Sequence, residues 1–434
     1  MKIYTYPSKA VEKRLQTIEN RTIDFRKKDV TAVSRILQRV KKTGDEALVD
    51  YTHQFDSKRV TRASLRVTSQ EFDSARKLVD LSFMRALNRA TRQIRSFHQK
   101  QLQPSWISTE RDGVILGQLN HPVDTAGIYV PGGQEGKTPL VSTVLMCAIP
   151  AALAGVNRIC MLTPPMKNGG VNPHLLIAAK KAGVHEIYRI GSAWAIAALA
   201  YGTETIPKAD VIVGPGNIYV TLAKKLVSGN VGIDMLAGPS EILILADNSA
   251  RPDYIAADLL SQAEHDVLAS AILVTTSAQV AQQVKIALTE QLKNLPRKDI
   301  AAESLAKYGA ILQVADIPTA IQFANRIAPE HLELQIAKPF DIIGKIRHAG
   351  AIFLGNHTPE PVGDYMAGPN HVLPTAGTAR YASALSVDHF TKKTSLIHYT
   401  EDAFNREAVD IMQLAKVEGL DAHVRSVKIR RKGS

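Results

Sequence analysis

The chain has 434 residues, 45% hydrophobic and 22% charged, with two cysteines and a formal net charge of +12. These values are ordinary for a globular protein long enough for two or more domains, and two cysteines cannot build a cysteine-rich zinc site. The positive excess lies largely in the first hundred residues and in the tail Lys428-Ile429-Arg430-Arg431-Lys432; with no interleaved aromatics and no recognition motif, it reads as a solvated, anion-attracting face and not as a nucleic-acid interface.

The opening Met1-Lys2-Ile3-Tyr4-Thr5-Tyr6 lacks the apolar core of a signal peptide, so a cytoplasmic protein is expected. Residues 8 to 101 carry apolar positions at three- and four-residue spacing with few glycines, which predicts helix. From about residue 112 short β-branched runs alternate with helical runs. The spacing predicts strands at 126–130, 158–162, 186–190 and 210–213, then at 242–245, 271–274, 310–314 and 351–354. Such alternation argues for two parallel sheets.

The uncharged stretch Pro139 to Gly155 approaches the length of a membrane span. Pro139, Ser142, Thr143 and Pro150 within it predict a buried helix instead, and no membrane partner is expected. Cys147 and Cys160 sit in apolar surroundings and read as inert thiols in a reducing compartment. After about residue 385 the alternation fades into helical runs and a basic tail, which look like an appended arm.

Three glycine turns stand at strand–helix or turn–strand junctions: Pro131-Gly132-Gly133, Gly214-Pro215-Gly216-Asn217 and Ala237-Gly238-Pro239-Ser240-Glu241. The first two place backbone N–H groups where a nucleotide phosphate can approach, although neither has the full dinucleotide fingerprint. Ser240 of the third can reach a ligand at a sheet edge.

Histidines beside acids or amides gather in the second half. Gln262 and His265, three apart, would share a helix face, and Asp364 and His371 sit in a glycine- and proline-rich loop. Two oxygens and two nitrogens without a thiolate suit zinc, manganese or cobalt alike. Glu330-His331 supplies a water activator and a proton shuttle near neutral pH. Glu418 and His423 follow in the arm.

Taken in order, these segments resemble the histidinol dehydrogenases over essentially the whole chain, from Tyr129-Val130-Pro131-Gly132-Gly133 through Ser261-Gln262-Ala263-Glu264-His265 and Pro329-Glu330-His331-Leu332 to Glu418 and His423. The resemblance implies an α/β fold of two Rossmann-like, incomplete, aldehyde-dehydrogenase-like parallel-sheet domains, with a helical N-terminal segment and a C-terminal arm. The expected division is 1–25 for the N-terminal segment, 26–126 with 241–385 for the metal and acid/base domain, 127–240 for the NAD side and 386–434 for the dimerisation arm. It implies oxidation of L-histidinol through histidinaldehyde to L-histidine with two NAD, the final step of histidine biosynthesis.

One zinc ion per subunit would be held by Gln262, His265, Asp364 and His423. Glu330 and His331 would be the acid/base pair. Ser240, His371 and Glu418 would contact substrate together with Gln262, His265, His331, Asp364 and His423, while Tyr129 and Asn217 would contact NAD. His371 thereby passes from the metal to the substrate, and His423 takes its place. A homodimer is implied in which each arm completes the other subunit's site.

One position departs from the family pattern: Trp194 stands where the family usually has a glutamine in contact with NAD, and an indole can stack but cannot supply an amide's hydrogen bonds. A related zinc/NAD dehydrogenase of another polar alcohol, such as a sulfopropanediol, and a catalytically impaired binding paralogue are the alternative readings.

Overall fold

The computed structural model describes residues 1–21, 25–132 and 138–431. Gly133 of the first glycine turn and Lys432 of the basic tail lie outside the described residues. The chain divides into two compact units, Met1–Gln101 with Asp124–Phe390, and Leu102–Val123 with Thr391–Ser434.

In chain order the strands are β1 (Ile3–Thr5), β2 (Trp106–Ser108), β3 (Val114–Pro122), β4 (Thr125–Tyr129), β5 (Arg158–Thr163), β6 (Glu186–Arg189), β7 (Val211–Val213), β8 (Gly232–Ile233), β9 (Glu241–Ala246), β10 (Ser270–Thr275), β11 (Ala310–Gln313), β12 (His331–Gln335), β13 (Ala351–Leu354) and β14 (Thr391–Tyr399). Two parallel sheets make up the first unit. One has the order β6-β5-β4-β7-β8, the other β1-β11-β10-β9-β12-β13.

Both sheets follow one plan. The third, second, first, fourth and fifth strands of each set lie side by side, the Rossmann order lacking its last strand, with β1 added at one edge of the larger sheet. The order reverses between β4 and β7 in one sheet and between β9 and β12 in the other.

The expected helical stretch 8–101 resolves into Lys9–Glu19, Lys27–Thr43, Asp45–Phe55, Ser69–Lys77 and Leu81–Gln99. The last is typical of why they form. Asp80 accepts the Phe83 N–H at 2.7 Å as N-cap, and Met84, Leu87, Ala90, Ile94 and His98 recur at helical spacing on the buried face. The uncharged stretch forms the helix Val141–Ala154, buried over most of its length. Among the described residues no helix is long and apolar enough to cross a membrane.

Among the described residues, Tyr129, Cys160, Leu162 and Ile212 lie in a core on one face of the smaller sheet, alternation turns the buried Ile128, Ile159 and Met161 to its other face, and two cores lie on opposite faces of the larger sheet. Leu332 and Leu334 of β12 point into one of those faces with Leu243 and Leu245 of β9. Strand alternation therefore turns His331, Glu333 and Gln335 to the opposite face, where Ile242, Ile244 and Ala246 of β9 meet the helix Pro252–Ala263.

The second unit is an antiparallel sheet, β14-β3-β2, with the helices Glu401–Val417 and Asp421–Lys428. Here the reading of purely helical runs after residue 385 is corrected. β14 pairs with β3 over nine residues, yet Thr-Lys-Lys-Thr-Ser-Leu-Ile-His-Tyr is mostly exposed and has no apolar face to reveal a strand.

Candidate active site

The two switch points carry different groups at opposite strand ends. At the carboxyl ends of β4 and β7 stand Tyr129 and Gly214. Gly214 has φ +115°, and a Cβ there would fall 2.1 Å from the Tyr129 carbonyl oxygen, so only glycine permits the approach. Its N–H donates to Asp234 at 2.8 Å and its carbonyl accepts from the buried Lys224 at 3.0 Å. Asn217 then caps the helix Ile218–Val227, its Oδ1 accepting from Tyr219 and Val220, both at 3.1 Å.

The Tyr129 hydroxyl accepts the Ser192 N–H at 3.0 Å, and burial pushes its pKa above the ordinary phenol range. Two residues on, Trp194 is buried against Tyr51 and Phe55, with ring centroids 5.6 and 5.4 Å away and planes 27° and 25° from parallel. Its Nε1 has no hydrogen-bond partner.

The amino ends of β9 and β12 carry Glu241, Glu330 and His331. His331 opens β12 with Glu330 just before it, and both are buried. His331 Nδ1 lies 2.9 Å from the Glu241 carbonyl oxygen, which can only accept, so Nδ1 holds the proton and Nε2 is the basic atom. Burial lowers its pKa to about 4, outweighing the pull of Asp364. The imidazole is therefore neutral near pH 7. Burial pushes the Glu330 carboxyl well above its usual range, and Glu241, Glu360 and Asp364 add to the effect.

Around His331 lies a cavity of about 120 Å³ lined in part by Ile352, Phe353, Asp364, Asn370 and His371. His331 Nε2 is 3.8 Å from Glu360 Oε1, and His371 Nδ1 is 3.8 Å from Asp364 Oδ1. Burial raises the Asp364 carboxyl, but His371, His331 and His265 together outweigh it and hold it below its ordinary value. The Glu360 carboxyl is pushed up to about 8 by burial, reinforced by Asp364 and Asp258.

His331, Glu360 and Asp364 each present a ligand atom, all within 4.8 Å of one another, a set able to hold a cation. Only Asp364 belongs to the ligand set read from the sequence. Glu360 escaped that reading because a lone acid after Thr358-Pro359 has no spacing to mark it.

Gln262 lies in the last turn of the helix Pro252–Ala263, fully buried, and neither its Oε1 nor its Nε2 has a partner. The helix ends at Ala263, so His265 is not on a continuing helical face. It follows the capping Glu264 in an exposed turn closed by its N–H to the Gln262 carbonyl at 3.2 Å. Ser240 precedes β9, half-buried. His371 Nε2 is also buried without a partner. Glu418 caps the helix Glu401–Val417 and His423 lies on Asp421–Lys428, both exposed in the second unit.

A buried amide without partners costs about 1–3 kcal/mol for each unmade bond, a cost that a divalent cation at Oε1 would relieve. Oxygen and nitrogen donors without thiolate fit zinc in a site open to further ligands. Both cysteines are buried, and burial pushes the Cys160 thiol up to about 12, so neither is a nucleophile near neutral pH.

The family profile described as histidinol dehydrogenase matches residues 19–431. The histidinol dehydrogenase of Desulfotalea psychrophila is 56% identical over 400 residues, 92% of each chain, and that of Carboxydothermus hydrogenoformans 52% over 398 residues, 92% of this chain and 93% of its own. The crystal structure of histidinol dehydrogenase from Elizabethkingia anophelis superposes with a TM-score of 0.92 at 39% identity, covering 99% of this chain and 98% of that one. With its paired incomplete Rossmann sheets and a family profile that matches nearly its whole length, the chain belongs to the histidinol dehydrogenase family of oxidoreductases.

Proposed function

We propose that the chain is a zinc- and NAD-dependent histidinol dehydrogenase, oxidising L-histidinol through histidinaldehyde to L-histidine with two NAD, the last step of histidine biosynthesis, in the cytoplasm. The observation that carries this reading is the neutral imidazole of His331, its Nδ1 proton fixed by the Glu241 carbonyl and its Nε2 turned toward Glu360, in a pocket it shares with Asp364; the buried, partnerless amide of Gln262 supports it. Gln262, His265 and Asp364 would hold the ion together with His423 of the partner subunit. We assign it to that group and not to His331 and Glu360, because an ion on Nε2 would occupy the atom the reaction needs as a base.

Bound zinc would orient the imidazole and amine of the substrate, with NAD as the hydride acceptor in each oxidation. His331 Nε2 takes the alcohol proton as the carbinol carbon loses hydride. Glu330 removes a proton from the water that adds to the aldehyde while the protonated His331 returns its proton from Nε2 to the aldehyde oxygen, giving the hydrate and a neutral His331. His331 then takes a hydroxyl proton from the hydrate as the second hydride leaves and the carboxylate forms. Ser240, His371 and Glu418 of the partner's arm would bind the substrate's polar ends, and Tyr129 and Asn217 the cofactor. The division at residues 25, 126, 240 and 385 stands as part of the same proposal.

Following NAD reduction by histidinol with the zinc-loaded protein tests this reading. Two NADH per histidinol consumed, abolished by a chelator and restored by zinc or manganese, is the expected result. Turnover in verified metal-free protein, or reduction by a sulfonated propanediol but not by histidinol, overturns it.

A further inference from the structure

β12 carries a carboxylate where its surroundings call for a hydrocarbon. Glu333 is 1% exposed and is paired in register with Ile244 on one side and Phe353 on the other. On the same face of the sheet, β9 presents only Ile242, Ile244 and Ala246 to the helix Pro252–Ala263. A leucine would bury more cheaply there, since a buried carboxyl loses its hydration and needs full hydrogen bonding in return.

Both oxygens of Glu333 are in use. Oε1 accepts the main-chain N–H of Glu360 at 3.1 Å, and Oε2 accepts from Gln335 Nε2 at 2.8 Å. Gln335 Nε2 also donates to Asp258 Oδ2 at 2.9 Å. Asp258 lies one helical turn before Gln262, on the same face of Pro252–Ala263. Glu360 opens the short helix Glu360–Val362, which runs into the π-helical turn Gly363–Ala367 bearing Asp364. One carboxyl group thus ties together three elements: the strand carrying His331, the helix carrying Gln262 and the turn carrying Asp364.

We infer that Glu333 is a positioning residue, whose bonds to the Glu360 N–H and to the Gln335 amide set the separation of Gln262 and Asp364 that a divalent ion requires. The inference rests on the reading of those two residues as metal ligands. Glu333 touches neither substrate nor ion and acts through the elements it joins. Groups that orient metal ligands in this way are worth roughly 10–100-fold in metal affinity.

Glu333→Leu keeps a side chain of similar size but makes neither bond. Metal affinity is measured by competition with a chromophoric chelator on the whole protein, alongside kcat, KM and the melting temperature of the metal-free form. The expected result is a loss of about tenfold or more in zinc affinity and a fall in kcat at saturating zinc, with metal-free melting unchanged or raised, because a buried carboxyl has been removed. Zinc affinity and kcat both within about threefold of the parent overturn the inference. So does a loss of affinity that only tracks a lowered metal-free melting temperature, which marks a merely structural residue. If the variant does not fold, Asp258→Asn at the far end of the chain of bonds decides by the same readouts. If the parent protein itself binds no zinc, the proposed function has failed, which separates that failure from this one.

Discussion

Glu241 and Glu330 clasp each other across the amino ends of β9 and β12. Glu330 Oε2 accepts the Glu241 N–H at 2.9 Å, and Glu241 Oε2 accepts the Glu330 N–H at 3.3 Å. The Glu241 carbonyl meanwhile holds His331 Nδ1, so one residue orients both Glu330 and His331. Glu241 is anchored in turn: its Oε1 meets the Arg21 guanidinium at 2.5 Å and the Ala376 N–H at 2.9 Å.

This anchoring predicts a large stability effect. The Arg21 side chain is only 2% exposed. Glu241→Gln leaves that guanidinium buried without a counter-charge, and breaking such a pair from one side costs roughly 3–5 kcal/mol. Urea unfolding of the metal-free protein measures it. A change below about 1 kcal/mol would show that Arg21 finds solvent or another partner.

The two oxidations are expected to separate by mutation. Only the aldehyde stage needs an activated water, so Glu330→Gln should slow histidinaldehyde oxidation more than histidinol oxidation. His331→Asn should slow both stages by about 10²-fold or more, as removal of a general base does. Single-turnover measurements on each substrate give the comparison. Equal losses in both stages for the Glu330 variant would contradict its assigned part.

Glu360 makes stability pH-dependent in a predictable sense. Its pKa is raised from the ordinary 4.5 to about 8 by burial and neighbouring carboxylates. A raised folded pKa means stability that is fully present below the unfolded value and lost as pH rises through the folded one, here between about 4.5 and about 8. The slope is about 1.4 kcal/mol per pH unit from this group. Glu360→Gln removes it, so the metal-free variant should gain on the parent between about pH 4.5 and about pH 8 in thermal melting. A constant difference across that range would mean that Glu360 is already ionised in the fold.

The apolar half of this molecule was legible and the polar half was not, for a physical reason. Strands such as Ile242–Leu245 are hydrophobic runs because helices cover both faces of the sheet. β12 is just as buried, but His331, Glu333 and Gln335 alternate with its leucines, and that pattern reads as a surface segment until Asp258 and the Glu360 N–H are seen to cover it. Neighbours in sequence such as Glu330 and His331 could be paired from the chain alone. The partnership of Arg21 with Glu241, 220 residues apart, leaves no trace in spacing.

Trp194 tests the departure from the family pattern. Its buried indole stacks on Tyr51 and Phe55, so Trp194→Gln should lose about 2 kcal/mol or more through the cavity and the buried amide. Among molecules that remain folded, the apparent affinity for NAD should move more than that for histidinol. Should only the histidinol constant change, the position is not at the cofactor.

Glu418 and His423 stand exposed on a unit whose sheet buries few large side chains, and Leu414, Val417 and Leu420 beside them are exposed as well. An arm of this kind is expected to dock on a second copy and complete that copy's site, so an isolated monomer should be inactive. His423→Ala and His331→Ala are each expected to be inactive alone. When the two are mixed under conditions that reshuffle subunits, a heterodimer built with exchanged arms has one site carrying both lesions and one carrying neither. Random pairing at equal amounts makes half the molecules mixed, each with one intact site, so activity should recover to roughly a quarter of the parent value. If each arm served its own subunit, every site would keep one lesion. Absence of recovery after exchange has been demonstrated by mass-tagged subunits would therefore rule out sharing.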